Sequence, residues 1–130
     1  MIEQILFRNV MKITEGSLEP FREAVKQAIE FVERNGPQLI VQTFIDEQEM
    51  RAVSFQLYRN CEDVLRHWEI SDPHIRAVSK HCSVEKFEIY GNPSDEVAAG
   101  LSQFFGDGRG HIMKPLAGFT RFQSTSRKSV

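Results

Sequence analysis

The chain has 130 residues, enough for one domain with a modest core. With 41% hydrophobic and 26% charged residues and a formal net charge of -2, it has the composition of a soluble globular protein, and its charge argues against nucleic acid or an anionic membrane as the main partner. Cys61 and Cys82 lack the paired CxxC spacing of a zinc site or disulfide framework, which favours a reducing compartment. The N-terminus carries Glu3 and no long apolar run, so it does not read as a signal peptide, and no window approaches the roughly 20 apolar residues that span a bilayer. The expected location is the cytoplasm.

Ile5, Phe7, Met11 and Ile13 recur with a period of two and predict a first strand, with Arg8 and Lys12 on its other face. Asn9 falls in the middle of the apolar row. A buried amide there needs a hydrogen-bond partner, and two readings stand: a structural amide holding a neighbouring loop, or a group that meets a ligand. After Gly16-Ser17, the residues Phe21, Val25, Ala28, Ile29 and Val32 have helical spacing and make one apolar stripe, ending at Asn35-Gly36-Pro37.

Residues 38 to 45 predict a second strand, apolar on both faces and therefore covered on both. The polar run from Asp46 to Glu49 turns into a third strand, residues 50 to 58. Val53, Phe55 and Leu57 form its apolar face, and Ala52, Ser54, Gln56 and Tyr58 form a more polar row, either the wall of a pocket or a half-wet surface.

Residues 59 to 81, RNCEDVLRHWEISDPHIRAVSKH, hold the only tryptophan, Trp68, and three of the four histidines, His67, His74 and His81. Asn60 reads as a cap, and Val64, Leu65 and Trp68 are spaced to face the sheet, with His67 to one side. Ile70-Ser71 predicts a break, after which Asp72-Pro73 restarts the helix. The plain alternative for Trp68 is a core position, for His74 a surface residue of the first turn, and for His81 a complement to the helix dipole.

A fourth strand over residues 83 to 90 completes a β-α-β-β-α-β order, the ferredoxin-like arrangement of an α+β domain. Residues 1–92 form this core. Residues 93–122 read as an extension with a third helix from about Ser94 to Phe105, then an extended piece from His111 to Phe122 that Pro115 confines to an edge or an exchanged position. Residues 123–130 read as a flexible tail. Gly106, Gly108 and Gly110 do not link a strand to a helix, which argues against a phosphate loop.

The topology, together with His67 and the following Ser71-Asp72-Pro73-His74, resembles the antibiotic biosynthesis monooxygenase-like family of the dimeric α+β barrel superfamily. The resemblance implies a homodimer in which two sheets pack face to face, with a pocket in each protomer between sheet and helices. It further implies a hydrophobic or aromatic small-molecule substrate, and oxygenase chemistry without metal or organic cofactor. Asn9, Trp68 and His74 are then the catalytic candidates, and Tyr58, His67 and Gln56 the substrate-binding ones. A heme-degrading branch of the same superfamily is an alternative. Its asparagine and tryptophan match Asn9 and Trp68, but its iron-ligating histidine falls at Val78, with His74 and His81 one turn to either side. A non-catalytic binding or assembly module is a further alternative.

Overall fold

The computed structural model describes residues 3–121. The elements are β1 (Ile5–Ile13), α1 (Leu18–Asn35), β2 (Ile40–Asp46), β3 (Arg51–Tyr58), α2 (Cys61–Ser79), β4 (Cys82–Tyr90), α3 (Asp95–Gly100), α4 (Ser102–Gly106) and β5 (Gly110–Met113). They form one sheet in the order β2-β3-β1-β4-β5. β1 lies in the middle, antiparallel to β3 and β4, and β5 joins the far edge parallel to β4. This is the expected ferredoxin-like α+β fold, extended by one strand.

Strand alternation sends Ile5, Phe7, Met11 and Ile13 to the side of the helices, where each is buried. The core there has two parts. Ile5, Phe7, Tyr58, Val64, Ile89, Val97 and Leu101 form one, roofed by α2 and α3. Met11, Ile13, Phe21 and Ala52 form the other, against the start of α1. Asn9 lies between Phe7 and Met11, at the seam of the two.

Three expectations are corrected. α2 is one continuous helix through Ile70, Ser71 and Pro73. A proline inside a helix costs about 3 kcal/mol, and packing of the long helix against α1 outweighs that local cost. Asp72 consequently does not cap a new helix; it pairs with Arg76 one turn on. The helix expected from Ser94 to Phe105 is divided at Leu101 into α3 and α4, with Ser94 accepting from the Val97 backbone N–H as the cap of the first piece. The last strand is shorter than expected and ends at Met113, before Pro115. Phe122 and the tail of residues 123–130 lie outside the described residues.

Among the described residues, no helix covers the other face of the sheet. Val10 and Val53 are paired there, with Phe44 beside Val53, and Phe44 is 55% exposed. The expectation that both faces of β2 are covered therefore fails for the single chain. On the same face Arg8 pairs with Glu88 at 3.0 Å, so its charges are partly neutralised.

Candidate functional site

A polar row crosses the helix-facing side of the sheet at the seam of the core. Asn9 on β1 is opposite Ser54 on β3, and Ser54 is opposite Thr43 on β2. The Thr43 hydroxyl lies 3.3 Å from that of Ser54. The β1 to β4 register shifts next to this row, between Val10 and Met11, and such bulges recur beside functional sites. Large side chains do not fill the seam, and a cavity of about 140 Å³ remains between sheet, α1 and α2. This is the size of a space that takes a single aromatic ring.

α1 supplies the aliphatic wall. Val25, Ala28, Ile29 and Val32 of its apolar stripe line the cavity, joined by Met11, Val41 and Ile75. α2 supplies the polar roof, because positions 67, 71, 74, 75 and 78 recur on one face of an unbroken helix. His67 is 7% exposed and Ser71 1% exposed. The Ser71 hydroxyl oxygen lies 2.9 Å from His67 Nδ1, and the amide nitrogen of Gln38, in the loop before β2, lies 3.0 Å from the same atom. An amide N–H can only donate, so with the carboxamide in this orientation Nδ1 is the acceptor and the ring proton sits on Nε2. Burial lowers the His67 pKa to about 4, which keeps the imidazole neutral near pH 7.

Two buried oxygens in this region have no partner: Oδ1 of Asn9 and Oε1 of Gln38. A buried acceptor without a hydrogen bond is costly, and such groups are uncommon. Both belong to residues that line the cavity, so a hydroxyl or N–H brought in by a ligand would satisfy them. Among the described residues, no Asp, Glu, Lys or Arg lines the cavity. Cys82 does, but burial pushes its thiol up to about 11, so it is protonated near pH 7.

Of the residues singled out from sequence, Asn9, Gln56, His67 and His74 line the cavity. His74 also packs its ring on Phe31 of α1, with centroids 4.5 Å apart. Trp68 and Tyr58 are not on the cavity wall. Without a break at Ile70, helical phase points His67 at the seam and turns Trp68 to the other part of the core, against Gly100 of α3. Tyr58 is fully buried beside Phe7, with its hydroxyl donating to Gln56 Oε1, and burial raises its pKa so that the phenol stays neutral. It therefore supports the wall from behind. Sequence reasoning missed Gln38 and Ser71. Ser71 stands four residues after His67, the spacing that stacks two side chains on one helix face, and that signal was available. Gln38 was read as the first residue of the second strand; β2 begins only at Ile40, and the loop before it turns Gln38 towards His67.

Val78, at the expected heme-ligand position, lines the cavity and cannot bind iron; of the two neighbouring histidines, His81 is outside the lining and His74 is on it, with its ring packed on Phe31. Among the described residues, no group of three or more His, Cys, Asp or Glu could hold a metal ion. None of the described helices is long and apolar enough to cross a membrane.

No protein-family model matches the chain, and no curated protein matches it. Solved structures do. MupZ from Pseudomonas fluorescens aligns over 92% of this chain and 95% of its own, with a TM-score of 0.69 and 14% identity. SnoaB from Streptomyces nogalater, a cofactor-independent oxygenase, aligns over 71% and 95% with a TM-score of 0.59 and 12% identity. A candidate antibiotic biosynthesis monooxygenase from Nitrosomonas europaea aligns over 71% and 92% with a TM-score of 0.60 and 18% identity. At these identities the likeness establishes the fold alone: the chain has the ferredoxin-like α+β fold that these structures share.

Proposed function

We propose that the chain forms a homodimeric barrel that binds a neutral, hydrophobic or aromatic small molecule in the cavity under α1 and α2, and that in its enzymatic form it oxygenates that molecule without a cofactor. The observation that carries the reading is the unpartnered oxygen of Asn9 on the wall of a cavity whose described lining joins an aliphatic α1 side to polar, uncharged groups of the sheet and α2. A phenolic ligand would donate to that oxygen while its ring meets the α1 wall. Neutral His67 and the Gln38 amide would orient it and exclude water from the electron-rich ring that reacts with oxygen. His74 joins them on the wall. Trp68 and Tyr58 act from behind it, shaping the core that the cavity adjoins.

Oxygen uptake by the purified protein with a panel of quinols and anthrones tests this. Turnover that falls in Asn9→Ala is the expected result, and the size of the cavity favours single-ring quinols over tricyclic anthrones. A second reading is a non-catalytic binding module, favoured by the low basicity of His67 and the lack of any acid beside it. Saturable binding without oxygen uptake would select it.

Dimerisation follows from the uncovered sheet face. Val10, Val53 and Phe44 make an apolar surface at the middle of the sheet, and a second copy packed face to face would cover it. Sedimentation showing a stable monomer at micromolar concentration would rule this out.

A further inference from the structure

Helical serines usually return their hydroxyl to a backbone carbonyl one turn back, as Ser79 does to Ile75 at 2.9 Å. Ser71 is placed differently. Its hydroxyl lies 2.9 Å from an imidazole nitrogen, in a cavity, in a pair that is buried throughout. A hydroxyl held on an unprotonated imidazole nitrogen is the arrangement that activates a nucleophile. The Gln38 amide, 3.0 Å from the same nitrogen, shares its one lone pair with the Ser71 hydroxyl and has to give way as the proton arrives.

We propose that Ser71 and His67 form a nucleophile and base pair, and that the cavity cleaves esters or thioesters with a short, uncharged acyl group. Ser71 Oγ attacks the carbonyl carbon while its proton passes to His67 Nδ1. Asn9 lines the same cavity, and the N–H of its side-chain amide is the group that would donate to the carbonyl oxygen, now negative. The tetrahedral species collapses, the acyl carbon to leaving-group bond breaks, and the Nδ1 proton goes to the departing alkoxide or thiolate. Water then attacks the acyl-serine, giving one proton to Nδ1, and that proton returns to Ser71 Oγ as the carboxylic acid leaves. No electron is gained or lost, and water is the only co-reactant. The acyl group is short because the cavity has the volume of about one aromatic ring, and uncharged because no charged side chain lines it. Burial holds His67 neutral across the ordinary pH range, so the base is in its proton-accepting form.

This activity goes beyond the oxygenase reading and is separated from it by working without oxygen. The full chain is treated with a small dialkyl phosphofluoridate, and the adduct is located by mass spectrometry. Hydrolysis of 4-nitrophenyl butyrate is followed under argon for the wild type, Ser71→Ala and His67→Gln. The expected results are one adduct on Ser71 and a loss of at least about 100-fold in kcat/KM for each variant. An unlabelled Ser71, or a Ser71→Ala protein that hydrolyses the ester at the wild-type rate, overturns the proposal. The adduct is read on the wild-type chain, so poor folding of a variant does not decide the matter. Labelled Ser71 with no oxygen uptake on quinols would sink the oxygenase reading and support this one.

Discussion

The amide nitrogen of Gln38 stands 3.0 Å from Nδ1 of His67, tying the loop before β2 to the middle of α2. A carboxylate in place of that amide would face the imidazole at the same distance. An opposite charge so close favours the protonated ring, by about 1 to 3 pKa units. Gln38→Glu is therefore expected to raise the His67 pKa from about 4. Titration of the ring resonances by NMR checks it, and an unmoved pKa would mean that the loop does not hold this position in solution.

His67 also sets a pH dependence. Its folded pKa of about 4 lies below the ordinary 6.5, so between those values the unfolded chain binds a proton that the folded one does not. The stability is fully present above about pH 6.5 and is lost as pH falls towards 4, by up to about 3 kcal/mol. Urea midpoints measured across this range should fall with pH in the wild type and much less in His67→Gln. Parallel slopes would contradict the burial of a neutral imidazole.

Gly100 lets α3 lie against Trp68. A Cβ at that position would come within 2.9 Å of Cη2 and closer still to Cζ3, so one side chain would have to move. Gly100→Ala is expected to lower stability by about 1 to 3 kcal/mol and to shift the tryptophan fluorescence. Ligand binding in the cavity should be little altered, because Trp68 does not line it. A binding loss as large as the stability loss would return Trp68 to the site.

These tests also mark what the sequence made legible. Ile5, Phe7, Met11 and Ile13 announced the buried face of β1 because alternation leaves a strand only two faces, and Asn9 was visible as the exception in that row. The α1 stripe was equally clear and is now one wall of the cavity. The reading failed at Ile70-Ser71, where a local signal for a helix break lost to the packing of a long helix on α1. That error separated His67 from Ser71, His74 and Val78, which share its face when the helix is unbroken. Trp68 packs on the core, as the plain reading of its spacing had it, and away from the cavity. Gln38 was assigned to the second strand, and its turn towards His67 depends on the tertiary placement of the loop that precedes β2.

Val53 lies between Val10 and Phe44 on the uncovered face of the sheet. A lysine there would put a charge at the centre of the surface a second copy would cover. Val53→Lys is expected to weaken the dimer by at least about 10-fold, since an unpaired buried charge costs several kcal/mol. Sedimentation velocity would show the shift to monomer. An unchanged dimer would place the interface elsewhere.

Asn9 tests the site most directly. Its buried oxygen has no partner in the protein, so Asn9→Leu removes an uncompensated polar group and keeps a similar shape. Urea unfolding of the free protein and calorimetric titration with hydroquinone, made on the same two proteins, give both readouts. The expected result is a free protein as stable as the wild type or about 1 kcal/mol more so, with binding weakened at least about 10-fold. A variant that loses stability and binds hydroquinone as the wild type does would show that Asn9 holds the fold together and meets no ligand.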